Sequence, residues 1–519
     1  MNTRNLWIGL GLVTLISFSV LLFYGNEIYT LKPPIPEKVV DESGKVLFTA
    51  QQIKDGQNVW QSIGGQQVGS VWGHGAYIAP DWSADWLHRE SVFILEEWSQ
   101  NDFGQTFSSL PGEKKAMLEV RLQESVRLNT YDASTGVLTL SGVRVRAVMS
   151  NAGYYAGLFM NDPSRENERT AYSIPANTIK DAERMDAMNA FFFWAAWACV
   201  TERPGSDLTY TSNWPPDPVL GNKPSAGIVL WTGFSVIMLL VGIGLLAYYN
   251  ARNRSDVLDK SLLPQNDPLG GLNPTPSMKA VLKYYWVVVG LILLQILTGV
   301  VTAHYGVEGN QFYGLSLDNI MPYSISRTWH IQLALFWIAT AWLAAGLYIA
   351  PAVSGHEPKY QRFGVNILFF ALLIIVLGSM AGEWMGVMQK LGLVKNFWFG
   401  HQGYEYVDLG RFWQIFLFAG FIIWLFLMFR ALWPALIKKS ESRELLILFS
   451  IATVAIALFY GAGLMWGRQT HLSIAEYWRW WVVHLWVEGF FEVFATVVAA
   501  FLFVRMGLLN IKYATTGVL

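Results

Sequence analysis

Eight stretches of this chain are apolar over about 20 residues, the length one helix needs to cross the hydrocarbon core of a bilayer. They are Leu6 to Tyr24 and, roughly, 226–249, 281–303, 327–352, 363–387, 410–434, 443–467 and 477–504. In lipid every backbone N–H and C=O must be satisfied inside the protein, so long apolar segments resolve into helices. The expected fold is a polytopic α-helical membrane protein. Composition agrees: 53% of the 519 residues are hydrophobic and 14% are charged, against about 25% charged in soluble domains. A fully soluble, disordered or fibrous chain is thereby excluded.

Charge and cysteine usage remove further classes. The net charge is −1, so no basic excess argues for nucleic acid. The single cysteine, Cys199, excludes an intramolecular disulfide and any Cys-x-x-Cys-His attachment of heme c. The 24 tryptophans suit interfacial belts and cofactor-lined interiors.

The first span follows Met-Asn-Thr-Arg-Asn and lacks an Ala-x-Ala-like cleavage site, so residues 1–24 read as an uncleaved anchor. Residues 25–223 are polar and punctuated by proline, and read as a water-facing domain. Residues 224–280 hold the second span and a linker, and 281–519 the remaining six spans. Arg252, Arg254, Lys260, Lys279 and Lys283 crowd one linker, Lys359 and Arg362 another, and Arg430, Lys438, Lys439 and Arg443 a third. The alternate linkers hold fewer cations. The positive-inside rule then puts the N-terminus in the cytoplasm and residues 25–223 outside. Helical patterns within that domain run near 51–62, 85–99, 112–128, 146–160 and 179–199. A hairpin is predicted around Gly136, from Val137-Leu-Thr-Leu, then Ser-Gly, then Val143-Arg-Val-Arg.

Ionisable residues at membrane depth are costly and mark candidate sites. In Trp481-Val-Val-His-Leu-Trp-Val-Glu-Gly-Phe-Phe-Glu492, His484 and Glu488 stand four apart on one helix face, and Glu492 follows a turn later. Imidazole with carboxylate suits non-heme iron; the same pair also describes a hydrogen bond that pins two helices. His330, in Arg327-Thr-Trp-His, suits an axial heme ligand or a histidine bonded to a neighbouring carbonyl. His304 and Glu308, again four apart, suit acceptance of quinol protons or an ordinary solvated helix end. Glu405 lies in Gly403-Tyr-Glu-Tyr-Val-Asp-Leu-Gly-Arg411, and Gly75 and Tyr77 lie in Trp72-Gly-His-Gly-Ala-Tyr-Ile-Ala-Pro-Asp81. A carboxylate with backbone carbonyls near glycines suits a hard cation such as calcium. On the predicted topology all the histidine candidates fall in the outer half of the membrane, with His484 about 10 Å deep at 1.5 Å per residue.

Together these segments resemble the quinol-dependent nitric oxide reductases, a branch of the heme-copper oxidase superfamily, over essentially the whole chain. The resemblance implies a heme-copper oxidase-like bundle and an extracytoplasmic cytochrome-c-like domain lacking heme, in the bacterial inner membrane. It implies that His484 ligates the non-heme iron, that Glu488 lies on or beside that iron, and that Glu492 stands next out. It implies that His330 holds the low-spin heme b, that His304 and Glu308 line the quinol pocket, and that Glu405, Gly75 and Tyr77 hold calcium. The reaction implied is two nitric oxide plus quinol giving nitrous oxide, water and quinone. Electrons would pass through low-spin heme b to a high-spin heme b and the iron.

One departure stands out. The family's bundle is longer, and its His-His and His-x-His ligand pairs match none of the eight histidines here. The chain is therefore expected to lack the C-terminal half of its bundle and to be inactive alone, with a homodimer left open. Two alternatives compete: a copper-containing quinol oxygen reductase, which Glu488 and Glu492 argue against, and a non-catalytic quinol- or heme-binding membrane protein or proton-relay transporter.

Overall fold

The computed structural model describes residues 3–74, 78–252, 273–310, 314–440 and 442–519. The predicted Gly75 and Tyr77, and the linker cations Arg254 and Lys260, lie outside them. Among the described residues eight helices are long and apolar enough to cross a membrane, as expected.

The first, α1 (Thr3–Leu31), runs seven residues past the predicted anchor. Thr30 Oγ1 donates to the Asn26 carbonyl and keeps the last turn helical; Pro33 and Pro34 then stop it. The domain expected to lie outside, and called the outer domain for that reason, follows. It holds α2 (Ala50–Ser62), α3 (Trp82–Phe103), α4 (Gly112–Arg127), α5 (Gly142–Phe159), the short α6 (Glu166–Ala171) and α7 (Ala182–Val200). A capping box between Thr49 and Gln52 starts α2. α7 is almost wholly buried from Ala187 to Val200 and forms the spine. Gly56 of α2 crosses it so closely that a Cβ there would collide with the Ala187 carbonyl oxygen. Stacked rings fill the centre: Trp86 on Tyr155 at 5.3 Å and Trp82 on Phe192 at 5.6 Å.

A small sheet caps this domain. Its strands β1 (Lys38–Asp41), β2 (Val46–Thr49), β3 (Tyr131–Asp132) and β4 (Val137–Leu140) lie in the order β2-β1-β4-β3. The hairpin predicted around Gly136 is present as the antiparallel β3–β4 pair, but its second predicted strand is corrected. β4 pairs with β1 and β3, and Val143-Arg-Val-Arg opens α5 instead of a second strand. Burial decides it: Arg144, Ala147, Val148, Asn151 and Tyr155 are buried at helical spacing. Arg144 also pairs with Glu90 of α3 at 2.7 Å inside the core.

The membrane bundle holds α8 (Ala226–Arg252), α9 (Pro276–Glu308), α10 (Tyr323–Ser354), α11 (Gln361–Val387), α12 (Leu393–Phe399), α13 (Arg411–Ile437), α14 (Arg443–Tyr460), α15 (Leu472–Trp480), α16 (Glu492–Arg505) and α17 (Ile511–Val518). α9 and α10 form the most extensively packed helix pair, while α8 exposes its apolar side chains along its length. Between α15 and α16 the chain winds as a π-helix, Trp481–Phe491, within one continuous span. Nothing in the hydropathy pattern announces that change of winding, which often marks functional segments.

Candidate functional site

The π segment carries the first candidate. It buries Val482, Val483, Trp486 and Phe491 on one face. Trp486 packs on Phe421 and Tyr460. The opposite face presents His484, Glu488 and Glu492, all exposed. His484 Nδ1 lies 2.5 Å from Glu488 Oε2, with the side chains 51% and 57% exposed. The imidazole stacks on Trp480 at 4.2 Å with planes 7° apart. Stacking fixes the ring plane and the carboxylate fixes one nitrogen, so Nε2 is the nitrogen left for a ligand. Among the described residues no group of three or more His, Cys, Asp and Glu side chains could hold a metal ion. His484 and Glu488 could supply two donors to a metal ion, and among the described residues no third such side chain is gathered beside them.

His330 sits in the second turn of α10. Its Nδ1 lies 2.9 Å from the Gln295 carbonyl oxygen of α9. A carbonyl only accepts, so Nδ1 carries the proton and Nε2 keeps the lone pair a heme iron needs. Gln295 is itself held, its Oε1 accepting from Trp337 Nε1 at 2.7 Å. Gly299 makes room for the ring: a Cβ there would meet His330 Cε1 at 2.7 Å.

His304 and Glu308 close α9 at the end that meets the 25–223 domain. Their side chains meet at 2.8 Å, 27% and 34% exposed. Glu308 lines a cleft of about 430 Å³ with Arg169, Asn310 and Asp318. The three candidate places therefore stand on three segments, α9, α10 and the π-helix.

Glu405 is different in kind. It is buried between two arginines: Arg327 Nη2 lies 2.6 Å from its Oε1, and Arg479 Nη2 lies 3.9 Å from its Oε2. Arg479 also pairs with Glu476 at 3.2 Å, which His74 approaches at 3.7 Å. The outer domain enters the same network. Gln66 Oε1 accepts from the Glu405 N–H at 3.0 Å, and Gln66 Nε2 donates to Glu476 at 2.7 Å. Gln67 Nε2 donates to Asp408 at 2.9 Å, and its carbonyl accepts from Arg327. Two glycines permit the approach. Gly65 and Gly403 both have positive φ, and a Cβ on Gly65 would collide with the Gly403 carbonyl oxygen.

Sequence reasoning names Glu405 but misses the residues around it. Arg327 and Arg479 are legible as cations near span ends, yet their shared partner lies 78 and 74 positions away. Asp408 and His401 are fully buried beside them. Burial pushes the Asp408 carboxyl up to about 8, with neighbouring Glu405 adding to the rise. Burial pushes the His401 imidazole down to about 3. Its Nδ1 accepts from the Gly403 N–H at 2.9 Å, so Nε2 carries the hydrogen and donates to Thr328 Oγ1 at 2.8 Å. Nearby Glu383 is buried with no hydrogen-bond partner on either oxygen among the described residues.

Most of the expected calcium site lies outside the described residues. Of its three residues only Glu405 is described, and that carboxylate is already neutralised by Arg327.

Comparison with known proteins divides the chain in two. Residues 36–216 match the family model of the NorB cytochrome c-like domain of nitric oxide reductase. Residues 279–514 match "Cytochrome C and Quinol oxidase polypeptide I". A stretch of 232 residues is 21% identical to the nitric oxide reductase NorB polypeptide of Stutzerimonas stutzeri, covering 44% of this chain. The same stretch spans 46% of that relative's own length, less than half of it.

Proposed function

We propose that the chain is a NorB-like member of the heme-copper oxidase family and takes part in quinol-dependent reduction of two nitric oxide molecules to nitrous oxide and water, a reading supported by its matches to the NorB cytochrome c-like domain and to polypeptide I of the cytochrome c and quinol oxidases. The observation that carries this reading is the His484–Glu488 pair on the exposed face of the π segment. Imidazole with carboxylate is an iron-type donor set, whereas copper favours a nitrogen- or sulfur-rich one. A copper oxygen reductase is therefore the second reading.

Low-spin heme b, high-spin heme b and a non-heme iron, when bound, would supply one-electron relay and the metal pair at which two nitric oxides meet. The chain's own residues have narrower tasks. His330 offers Nε2 to the low-spin heme while the Gln295 carbonyl fixes the Nδ1 tautomer. His484 offers Nε2 to the iron while Glu488 Oε2 holds the other nitrogen. Glu488 and Glu492 put two carboxylates on the same face, where they can hold protons for the forming water. His304 and Glu308 accept a proton as the quinol is oxidised. Among the described residues no group of three or more His, Cys, Asp and Glu side chains completes the iron site.

The proposed setting is the bacterial inner membrane, with the N-terminus in the cytoplasm and the 25–223 domain outside. Lipid, quinol and nitric oxide are the proposed partners, with a homodimer compatible. Membranes carrying the complete protein should consume nitric oxide with a quinol donor and release one nitrous oxide per two consumed. Oxygen consumption without nitrous oxide release would sink the proposal in favour of the oxygen reductase.

A further inference from the structure

Two clefts meet where the outer domain rests on the bundle. One is the 430 Å³ cleft beside Glu308; the other, about 300 Å³, opens beneath residues 173–180. Ile174, Ala176 and Asp318 belong to the walls of both. The second cleft has apolar walls in Ile63, Val68 and Phe159 and polar groups in Lys180 and Asn177. Cavities of this size and mixed lining suit a small ligand with a few polar anchors.

Asp318 stands at the meeting point on the short turn before α10. Its Oδ1 is buried and has no hydrogen-bond partner among the described residues. Asn310 Oδ1, lining the first cleft, is in the same condition. Buried acceptors without partners cost free energy, so each calls for a donor. The cations lining the clefts do not supply it. Arg169 spends Nη1 on the Gly157 and Asp162 carbonyls, and no ion pair reaches Asp318 from Arg169 or Lys180 among the described residues. Burial pushes the Asp318 carboxyl above the usual carboxylate range, which makes it a better proton acceptor than an exposed one. On the other side of the first cleft stands Glu308, bonded to His304.

We propose that Asp318 accepts the second proton of the quinol, whose headgroup lies in this junction between the His304–Glu308 pair and Asp318. The inference rests on the quinol reading above. The balance is simple. Both quinol O–H bonds break; one proton passes to the His304–Glu308 pair and the other to the Asp318 carboxylate. The two electrons would leave one at a time, each reducing one ferric heme iron to ferrous when heme is bound, and the ring would become a quinone with two C=O groups. The Asp318 carboxylate, with one oxygen unpartnered, and the histidine–carboxylate pair give the two acceptors a two-proton oxidation requires.

The test uses the complete membrane-embedded protein. Photolabelling with an azidoquinone, followed by peptide mapping, should put adducts on residues 173–180 and 314–324. Asp318→Asn should keep the adducts and the heme spectrum but lower quinol oxidation by roughly a hundredfold, within the usual range for a general base. Asp318→Glu should restore much of the rate, and a small donor that reduces the heme directly should work normally in both variants. Adducts in this cleft with wild-type quinol oxidation by Asp318→Asn would overturn the role of Asp318 while leaving the quinol reading intact. Adducts elsewhere, together with normal quinol oxidation by Glu308→Ala, would overturn both.

Discussion

The His484 imidazole is held from two directions at once, by Glu488 Oε2 at 2.5 Å and by the Trp480 ring at 4.2 Å. Both contacts come from its own span, so the ring is oriented before any metal arrives. Glu488→Gln keeps the side-chain volume but removes the charge-assisted partner. It should weaken iron retention by 10- to 100-fold, roughly the effect of losing a ligand's orienting partner. Non-heme iron retained after dialysis against a chelator measures this. Retention equal to wild type would mean that Glu488 does not tune the ligand.

Glu308→Ala removes one partner of the 2.8 Å pair with His304. Turnover with quinol should fall by roughly a hundredfold or more, while a donor that bypasses the quinol pocket stays active. Rates with the two donors, side by side, decide it; an equal fall in both would point to a folding defect.

Gly299→Ala puts a methyl 2.7 Å from His330 Cε1. The ring must turn away from the Gln295 carbonyl. The low-spin heme spectrum should shift or weaken, with non-heme iron content unchanged. An unshifted spectrum would argue that His330 is not the axial ligand.

The Glu405 network joins outer domain to bundle, and Arg327→Met should loosen it. Removing one partner of a buried ion pair costs about 3–5 kcal/mol, and Glu405 would be left with only the more distant Arg479, 3.9 Å away. A lower thermal midpoint, with protease cleavage between outer domain and bundle, is the expected outcome. Arg327→Lys should rescue it only in part, since Arg327 reaches Gln67 and Glu405 with two different nitrogens.

The same junction carries a pH signature. Asp408 is raised to about 8 and keeps its proton when folded, so stability falls as pH rises from its ordinary 3.8 towards 8. His401 is lowered to about 3 and stays neutral when folded, so stability rises with pH from 3 to its ordinary 6.5. The two slopes oppose each other between about 4 and 6.5, leaving Asp408 alone above that. Thermal midpoints should therefore decline between pH 6.5 and 8, and Asp408→Asn should flatten the decline.

The eight spans were legible because lipid imposes one length and one polarity on every crossing. Local pairs such as His304–Glu308 and His484–Glu488 were legible for a related reason, since helix geometry alone makes residues four apart neighbours. Val143-Arg-Val-Arg misled because alternation mimics a strand, and only the Glu90 partner of Arg144, 54 positions away, reveals the helix. The Arg327–Glu405–Arg479 cluster was hidden likewise, because its members come from three separated segments. The π winding at 481–491 has no pattern of its own in the residues.

The central claim is that His484 ligates a non-heme iron, and counting metals tests it most directly. The complete purified protein should contain one iron beyond its heme iron and no stoichiometric copper, and His484→Ala should lose that iron while keeping the low-spin heme spectrum. Copper in place of the extra iron, or an unchanged iron count in His484→Ala, would contradict the account.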